Sequence, residues 1–197
     1  MAASVVDICN QALYLLGQSA ITALDEGTRP ATICTLLWPE VRDMVLSDHP
    51  WNCAIHRDEL AQSTTDPEYE YSYQYALPTD PYCLRVLSTS NDDYVDSNGD
   101  PAYPWKVEGR YLLTDADTVK IRYIKRVTDV TQYPPFLVTA MAAKLASELA
   151  FPITRNLNIH SQMEQLYQRK LADAKAVDAQ EGTPDKFESD VLWNFRF

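Results

Sequence analysis

Apolar residues recur at helical spacing in two stretches before residue 50. Ser4 and Asp7 predict a capping box at the start of a first helix, and Gly17 predicts its end. Thr28 predicts the start of a second helix. The apolar stripe of this second helix comprises Ala31, Cys34, Trp38, Val41 and Val45. Because the spacing resumes after Pro39, we expect a kink at this proline rather than an end to the helix.

From Trp51 to about Arg126 the hydrophobic period changes to two, which indicates β-strands. The stretch YEYSYQY is expected to place four tyrosines on one strand face. They are Tyr69, Tyr71, Tyr73 and Tyr75. WKVEGRYLL predicts a hairpin around Gly109, and DSNGDP predicts a second turn at Asn98 and Gly99. Connections this short predict antiparallel pairing.

Helical spacing returns after Pro134 and Pro135. The stretch FLVTAMAAKLASELAF is apolar on most sides, so we expect a central, closely packed helix. Its narrow polar strip comprises Lys144, Ser147 and Glu148. Pro152 is expected to end this helix, and a last helix is expected from about Asn158 to Gln180. Helices, then strands, then helices again predict an α+β fold.

The segment VRDMVLSDHPWNCA, residues 41–54, contains Asp, His and Cys, residue types that often take part in catalysis or metal binding. Pro50 is expected to end the second helix and to leave His49 at its C-terminus, where the helix dipole favours a cation. Trp51 is expected to anchor the first strand, and Arg42 and Asp43 are candidates for contacts between helices or subunits. We interpret these five residues as a joint between the helices and the β region, rather than as a reactive site.

The composition is that of one globular unit of ordinary size, with 46% hydrophobic and 23% charged residues in a chain of 197. A net charge of −11 disfavours a domain that reads nucleic-acid sequence, because such domains neutralise phosphates with Lys and Arg. The four cysteines lack the spacing of zinc or redox motifs, so we expect free, mostly buried thiols. Neither a secretory signal nor a long apolar run is evident, which predicts a protein made in the cytoplasm without a membrane span.

Candidate catalytic and metal-binding groups are few. There is no glycine-rich phosphate motif, and the loop DDYVDSNGD does not fit an EF-hand because Tyr94 and Trp105 stand where its first and last ligands belong. Cys53 could pair with His56 or His49 as a nucleophile, but residues 53 and 56 of a strand would point to opposite faces. We therefore predict no catalytic residues, no metal ligands and no cofactor.

Three other features leave alternatives open. Glu68 and Glu70 could flank a sugar, although no opposite wall can be identified for them. The tyrosine face could stack on carbohydrate, or pack against a neighbouring strand or subunit. Trp193, Phe195 and Phe197 alternate in the C-terminal tail and would be costly to leave in water, so the tail is expected either to dock on its own domain or to insert into a partner.

Four segments together resemble one family, the head-to-tail adaptors (connectors) of tailed bacteriophages, including the tail tubular protein A group. They are ICNQALYLLGQSAITALDEGT, WPEVRDMVLSDHPWNCA, AMAAKLASELAFPIT and YQRKLADAKAVDAQEG. They span most of the chain in the family's order and spacing. The Leu-Gly, Leu-Asp, Val-Arg-Asp and His-Pro-Trp-Asn elements carry the resemblance jointly.

The resemblance implies a non-enzymatic virion protein made in the host cytoplasm. Its N- and C-terminal helices, residues 1–50 and 134–182, would form one four-helix bundle, with residues 51–133 as an inserted antiparallel β domain and residues 183–197 as an extended tail. Family members form a ring, here expected to be a dodecamer, under the portal protein. The ring extends the DNA channel without sequence-specific binding and presents a platform to a nozzle, a stopper or a tail terminator.

The resemblance also assigns candidate contacts. The tail is expected to reach the portal through Val191, Leu192, Trp193, Phe195, Arg196 and Phe197. The four tyrosines at positions 69 to 75 are a possible partner face. The alternative interpretation is a glycan-binding or glycan-degrading tail component that uses this tyrosine-rich β face.

Overall fold

The computed structural model describes residues 4–97 and 99–181 of the chain. Its helices and strands follow the predicted order, and the fold is α+β. The helices are α1 (Val5–Leu15), α2 (Arg29–Asp48), α3 (Pro135–Thr154) and α4 (Leu157–Asp178). The strands are β1 (Ile55–Glu59), β2 (Tyr73–Ala76), β3 (Cys83–Thr89), β4 (Trp105–Glu108), β5 (Tyr111–Thr114) and β6 (Lys120–Lys125).

The two N-terminal helices begin at the predicted capping residues. The Ser4 hydroxyl accepts the Asp7 N–H at 3.1 Å, and the Asp7 carboxylate accepts the Ser4 N–H at 3.0 Å, which completes the capping box. Thr28 caps α2 through the N–H of Ala31. Gly17, at φ +68°, lets the chain turn away after α1. These local predictions are confirmed.

Helix α3 is the centre of the helical part, and it packs against each of the other three helices. Arg29, at the start of α2, donates to the carbonyl of Pro152 near the end of α3 at 2.8 Å. At the opposite end, Trp51 and Phe136 line the same small cavity. Helix α2 therefore runs antiparallel to α3. The alanines of α3 are buried, and side chains this small allow close packing between helices.

The strands form two antiparallel sheets, in the orders β1-β6-β3 and β2-β5-β4. The predicted hairpin at Gly109 joins β4 to β5. In the first sheet Ile124 packs into the helical core, whereas Ile121 and Tyr123, which point the other way, pack with residues of the second sheet. The first sheet thus lies between the helices and the second sheet.

Pro152 does not end α3, contrary to the prediction. The helix continues to Thr154 and ends at Arg155, which adopts a left-handed conformation with φ +55°. A proline this close to the end removes one backbone hydrogen bond and leaves little helix beyond it to disrupt. By length and composition α3 could also cross a membrane, but 61% of that stretch is buried inside the protein, as in a core helix.

The prediction of four tyrosines on one strand face is wrong. Strand β2 includes only Tyr73 and Tyr75 of the four. Glu70, at φ +74°, breaks the extended backbone before the strand begins. As a result Tyr69 is 81% exposed, whereas Tyr75 is 1% exposed and donates to the carbonyl of Ala116.

Candidate functional site

The segment from His49 to Asn52 leads out of α2, as the sequence predicts. His49 is the residue that ends the helix, and Pro50 follows it. The Trp51 side chain is 1% exposed, and its indole N–H donates to the carbonyl of Val45 at 2.9 Å, which satisfies a carbonyl in the last turn of the helix. Trp51 does not adjoin a strand directly, because a short 3-10 turn over Asn52–Ala54 separates it from β1.

The same segment holds the C-terminal end of α4 through Asp178. One carboxylate oxygen of Asp178 accepts the backbone N–H of Asn52 at 3.1 Å, and the other lies 3.3 Å from Nε2 of His49. The side-chain amide of Asn52 donates to the backbone carbonyl of Asp178 at 2.8 Å. We call these three residues the Asp178 clamp. It joins positions 126 residues apart in the chain.

Sequence reasoning missed Asp178 and Asn52. A signal was present, because Asp178 follows Leu171 and Ala174 at helical spacing on the buried stripe of α4. An acidic residue is also unfavourable at a helix C-terminus, so a buried one there indicates a specific partner.

The surroundings of His49 act against the cation that the sequence predicts. Burial lowers the pKa of its imidazole, and this effect outweighs the Asp178 carboxylate, which acts in the opposite direction. The ring packs edge-on against Trp51, with ring centroids 4.7 Å apart. Desolvation therefore disfavours the charged form at this helix end, whereas the prediction considered only the helix dipole.

Asp43 and Arg42 form the second contact of the joint. One carboxylate oxygen of Asp43 lies 2.6 Å from a guanidinium nitrogen of Arg126, directly after β6, and the other lies 2.8 Å from Arg42. The guanidinium of Arg126 also stacks 4.1 Å from the ring centre of Tyr82, and Arg110 stacks 4.2 Å from the same centre. Asp43 thus connects α2 to the β region. Sequence reasoning did not identify Arg126, Tyr82 or Arg110.

The predicted tyrosine face is reduced to a smaller surface. A shallow depression is lined by Tyr69, Tyr71 and Tyr111 together with Glu68 and Glu70. Tyr75 is buried and takes no part in it. The described residues therefore bring the two glutamates close to exposed aromatic rings, but they do not form the continuous tyrosine row that the sequence suggested.

The cysteine and histidine candidates lie in different elements of the fold, with His49 at the end of α2. Cys53 lies in the 3-10 turn rather than in a strand, and burial raises the pKa of its thiol to about 11. His56 lies in β1 with its ring 5.5 Å from that of Tyr123. Between residues 4 and 97 and between 99 and 181, no three His, Cys, Asp or Glu side chains are grouped so that they could hold a metal ion.

The tail residues assigned to portal contact lie outside the described residues. They are Val191, Leu192, Trp193, Phe195, Arg196 and Phe197. Their role stays a prediction, as do the absence of a catalytic site and of a cofactor.

The joint is thus a cluster of polar contacts that holds α2, α4 and the first sheet together. Its geometry suits mechanical connection, because each charged group in it has a partner within the protein. Compared with profiles of known protein families and with curated proteins, the sequence matches none of them.

Proposed function

We propose that this protein is a structural head-to-tail adaptor of a tailed bacteriophage. The observation that carries the proposal is the Asp178 clamp. His49 and Asn52 belong to one segment of the family resemblance, WPEVRDMVLSDHPWNCA, and Asp178 belongs to another, YQRKLADAKAVDAQEG. Two segments that are distant in sequence and carry the resemblance therefore contact each other. This contact supports the view that they form one functional unit.

The helical part would form the wall of a ring. In this proposal α1, α2, α3 and α4 are the four-helix bundle of the adaptor, with α3 at its centre, and the two sheets are the inserted β domain. The helices also expose large apolar side chains that a neighbouring subunit could cover. They include Tyr14, Leu36, Met44, Phe151 and Leu157, which are between 50% and 69% exposed.

The charge of the chain fits a DNA channel. Each subunit carries a net charge of −11, so a ring of twelve would be strongly acidic. An acidic wall repels phosphates and lets DNA slide, provided that enough of this charge faces the channel. In this arrangement the C-terminal tail contacts the portal protein, and the opposite side of the ring receives the nozzle, stopper or tail terminator.

The test is electron microscopy of the full chain mixed with the portal protein from the same source genome. We expect a twelve-fold ring stacked on the portal ring. The protein alone is an uninformative control, because an adaptor can remain monomeric until it meets the portal. Absence of any complex with an intact portal ring would refute the proposal, and so would a complex without rotational symmetry.

A glycan-binding tail component is the second candidate, and one observation favours it. Tyr69 is 81% exposed beside Tyr71, Glu68 and Glu70 in a surface depression, and exposed aromatic rings stack on sugars. Glycan binding or hydrolysis that is abolished by a Glu68→Gln/Glu70→Gln double substitution would support this candidate. Activity that persists in the double variant would exclude these carboxylates.

A further inference from the structure

The first sheet carries a row of cationic and hydroxyl side chains that the joint does not use. In the strand pairing Arg57 of β1 lies opposite Arg122 of β6, and Arg122 in turn lies opposite Ser88 of β3. One row therefore crosses all three strands. Two residues further along β1 and β6, Glu59 and Lys120 form the next pair.

This row lies where the sheet extends beyond the helices. Side chains two residues apart share a strand face, so Arg122 shares its face with Ile124, which packs into the helical core. Beyond Ile124 the face opens into a groove lined by Arg57, Arg122, Lys120 and Ser88. Arg57 on its rim is exposed.

The two guanidinium groups lack anionic partners in the described part of the chain. No carboxylate there lies within ion-pair distance of Arg57 or Arg122, whereas Lys120 is 3.5 Å from Glu59. The Nε atom of Arg122 is buried and has no hydrogen-bond acceptor among the described residues. A buried donor without an acceptor is costly. The terminal N–H groups of the half-buried Arg122 face the groove and can donate to a carboxylate.

We propose that this groove is a binding site for a carboxylate side chain of an acidic peptide segment on a partner protein. The carboxylate accepts from the terminal N–H groups of Arg122 on one side and from Arg57 on the other. Ser88 lies next in the row, where its hydroxyl can donate to the same group. The proposal does not rest on the adaptor function, because it follows from the strand register and the unpaired donor.

Charge complementarity selects a peptide over a nucleic acid. The cationic row is short, and Asp58 and Glu59 lie at the same groove. A nucleic acid carries a continuous line of phosphates, most of which would lie beyond the short cationic row and be repelled by these carboxylates. A single carboxylate on a peptide needs contact only with the two arginines.

The experiment is an NMR titration of the full-length protein with an acetylated tetraglutamate peptide. We expect a saturable shift of the Arg122 Nε–Hε resonance and of the backbone amide of Ser88. Arg57→Gln is expected to weaken peptide binding about tenfold, because it removes one charge-assisted contact. Arg57 is exposed, so this variant leaves the sheet intact.

The matched control is Lys106→Gln, which removes the same charge from a 55% exposed side chain on β4 of the other sheet. It should bind the peptide as the parent protein does. Equal weakening by Lys106→Gln and Arg57→Gln would overturn the proposal, because only the net charge would then matter. Parallel titrations with inorganic phosphate and with short oligothymidylate complete the test. Tighter binding of either one than of the peptide, or no shift at Arg122, would also overturn it.

Discussion

The Asp178 clamp makes a quantitative prediction for Asp178→Ala. The Asp178 side chain is 6% exposed, and the substitution removes the bond to the Asn52 N–H and the contact with His49. The hydrogen bond from the Asn52 N–H to this carboxylate contributes about 2 kcal/mol. We count only this bond, because burial disfavours the charged form of His49 and so weakens its attraction to Asp178. Relief of an acidic group at a helix C-terminus offsets about 0.5 kcal/mol of this loss. We therefore expect the free energy of unfolding to fall by about 1.5 kcal/mol.

Thermal and urea unfolding would measure this loss. For a domain of this size, a loss of 1.5 kcal/mol lowers Tm by about 3–6 °C. Asp173→Ala is the matched control, since it removes an exposed carboxylate from the same helix, and we expect a change within about 0.5 kcal/mol. Equal stability of the Asp178→Ala variant and the parent protein would refute the argument that this contact fastens α4. An equal loss in both variants would show that the effect does not come from the clamp.

Three further predictions concern the joint, the hairpin and the tail. Burial lowers the pKa of His49 below its ordinary value of 6.5, so the unfolded chain binds a proton there more readily than the folded chain. The free energy of unfolding should therefore fall as the pH drops below 6.5. Urea unfolding at several pH values should show a smaller fall for the His49→Gln variant. Gly109→Ala should lower the free energy of unfolding, measured in urea, by about 1 kcal/mol. Gly109 has φ +58°, where an L residue is strained. The cost is one of backbone conformation, because no atom lies within 4 Å of the added Cβ. Deletion of residues 190–197 should leave the far-UV circular dichroism spectrum unchanged and abolish co-sedimentation with the portal ring; undiminished binding would contradict the role assigned to the tail.

Much of the fold could be predicted from local signals. Ser4, Thr28 and Gly17 mark helix ends because capping depends on residues within one turn of one another. The glycine turn between β4 and β5 is local in the same way. The tyrosine row was mispredicted because alternation of residue types does not reveal a break in the backbone such as that at Glu70.

The amino-acid sequence by itself determined the order of helices and strands, the apolar central helix and the position of the joint, because each depends on neighbours in the chain. Only the tertiary structure decided which distant residues the joint connects. Asp178 reaches His49 and Asn52, and Asp43 reaches Arg126, across separations of 83 residues or more. The alignment of Arg57, Arg122 and Ser88 likewise depends on strand register. Such partnerships arise from the packing of distant segments, and no local pattern of residues specifies them.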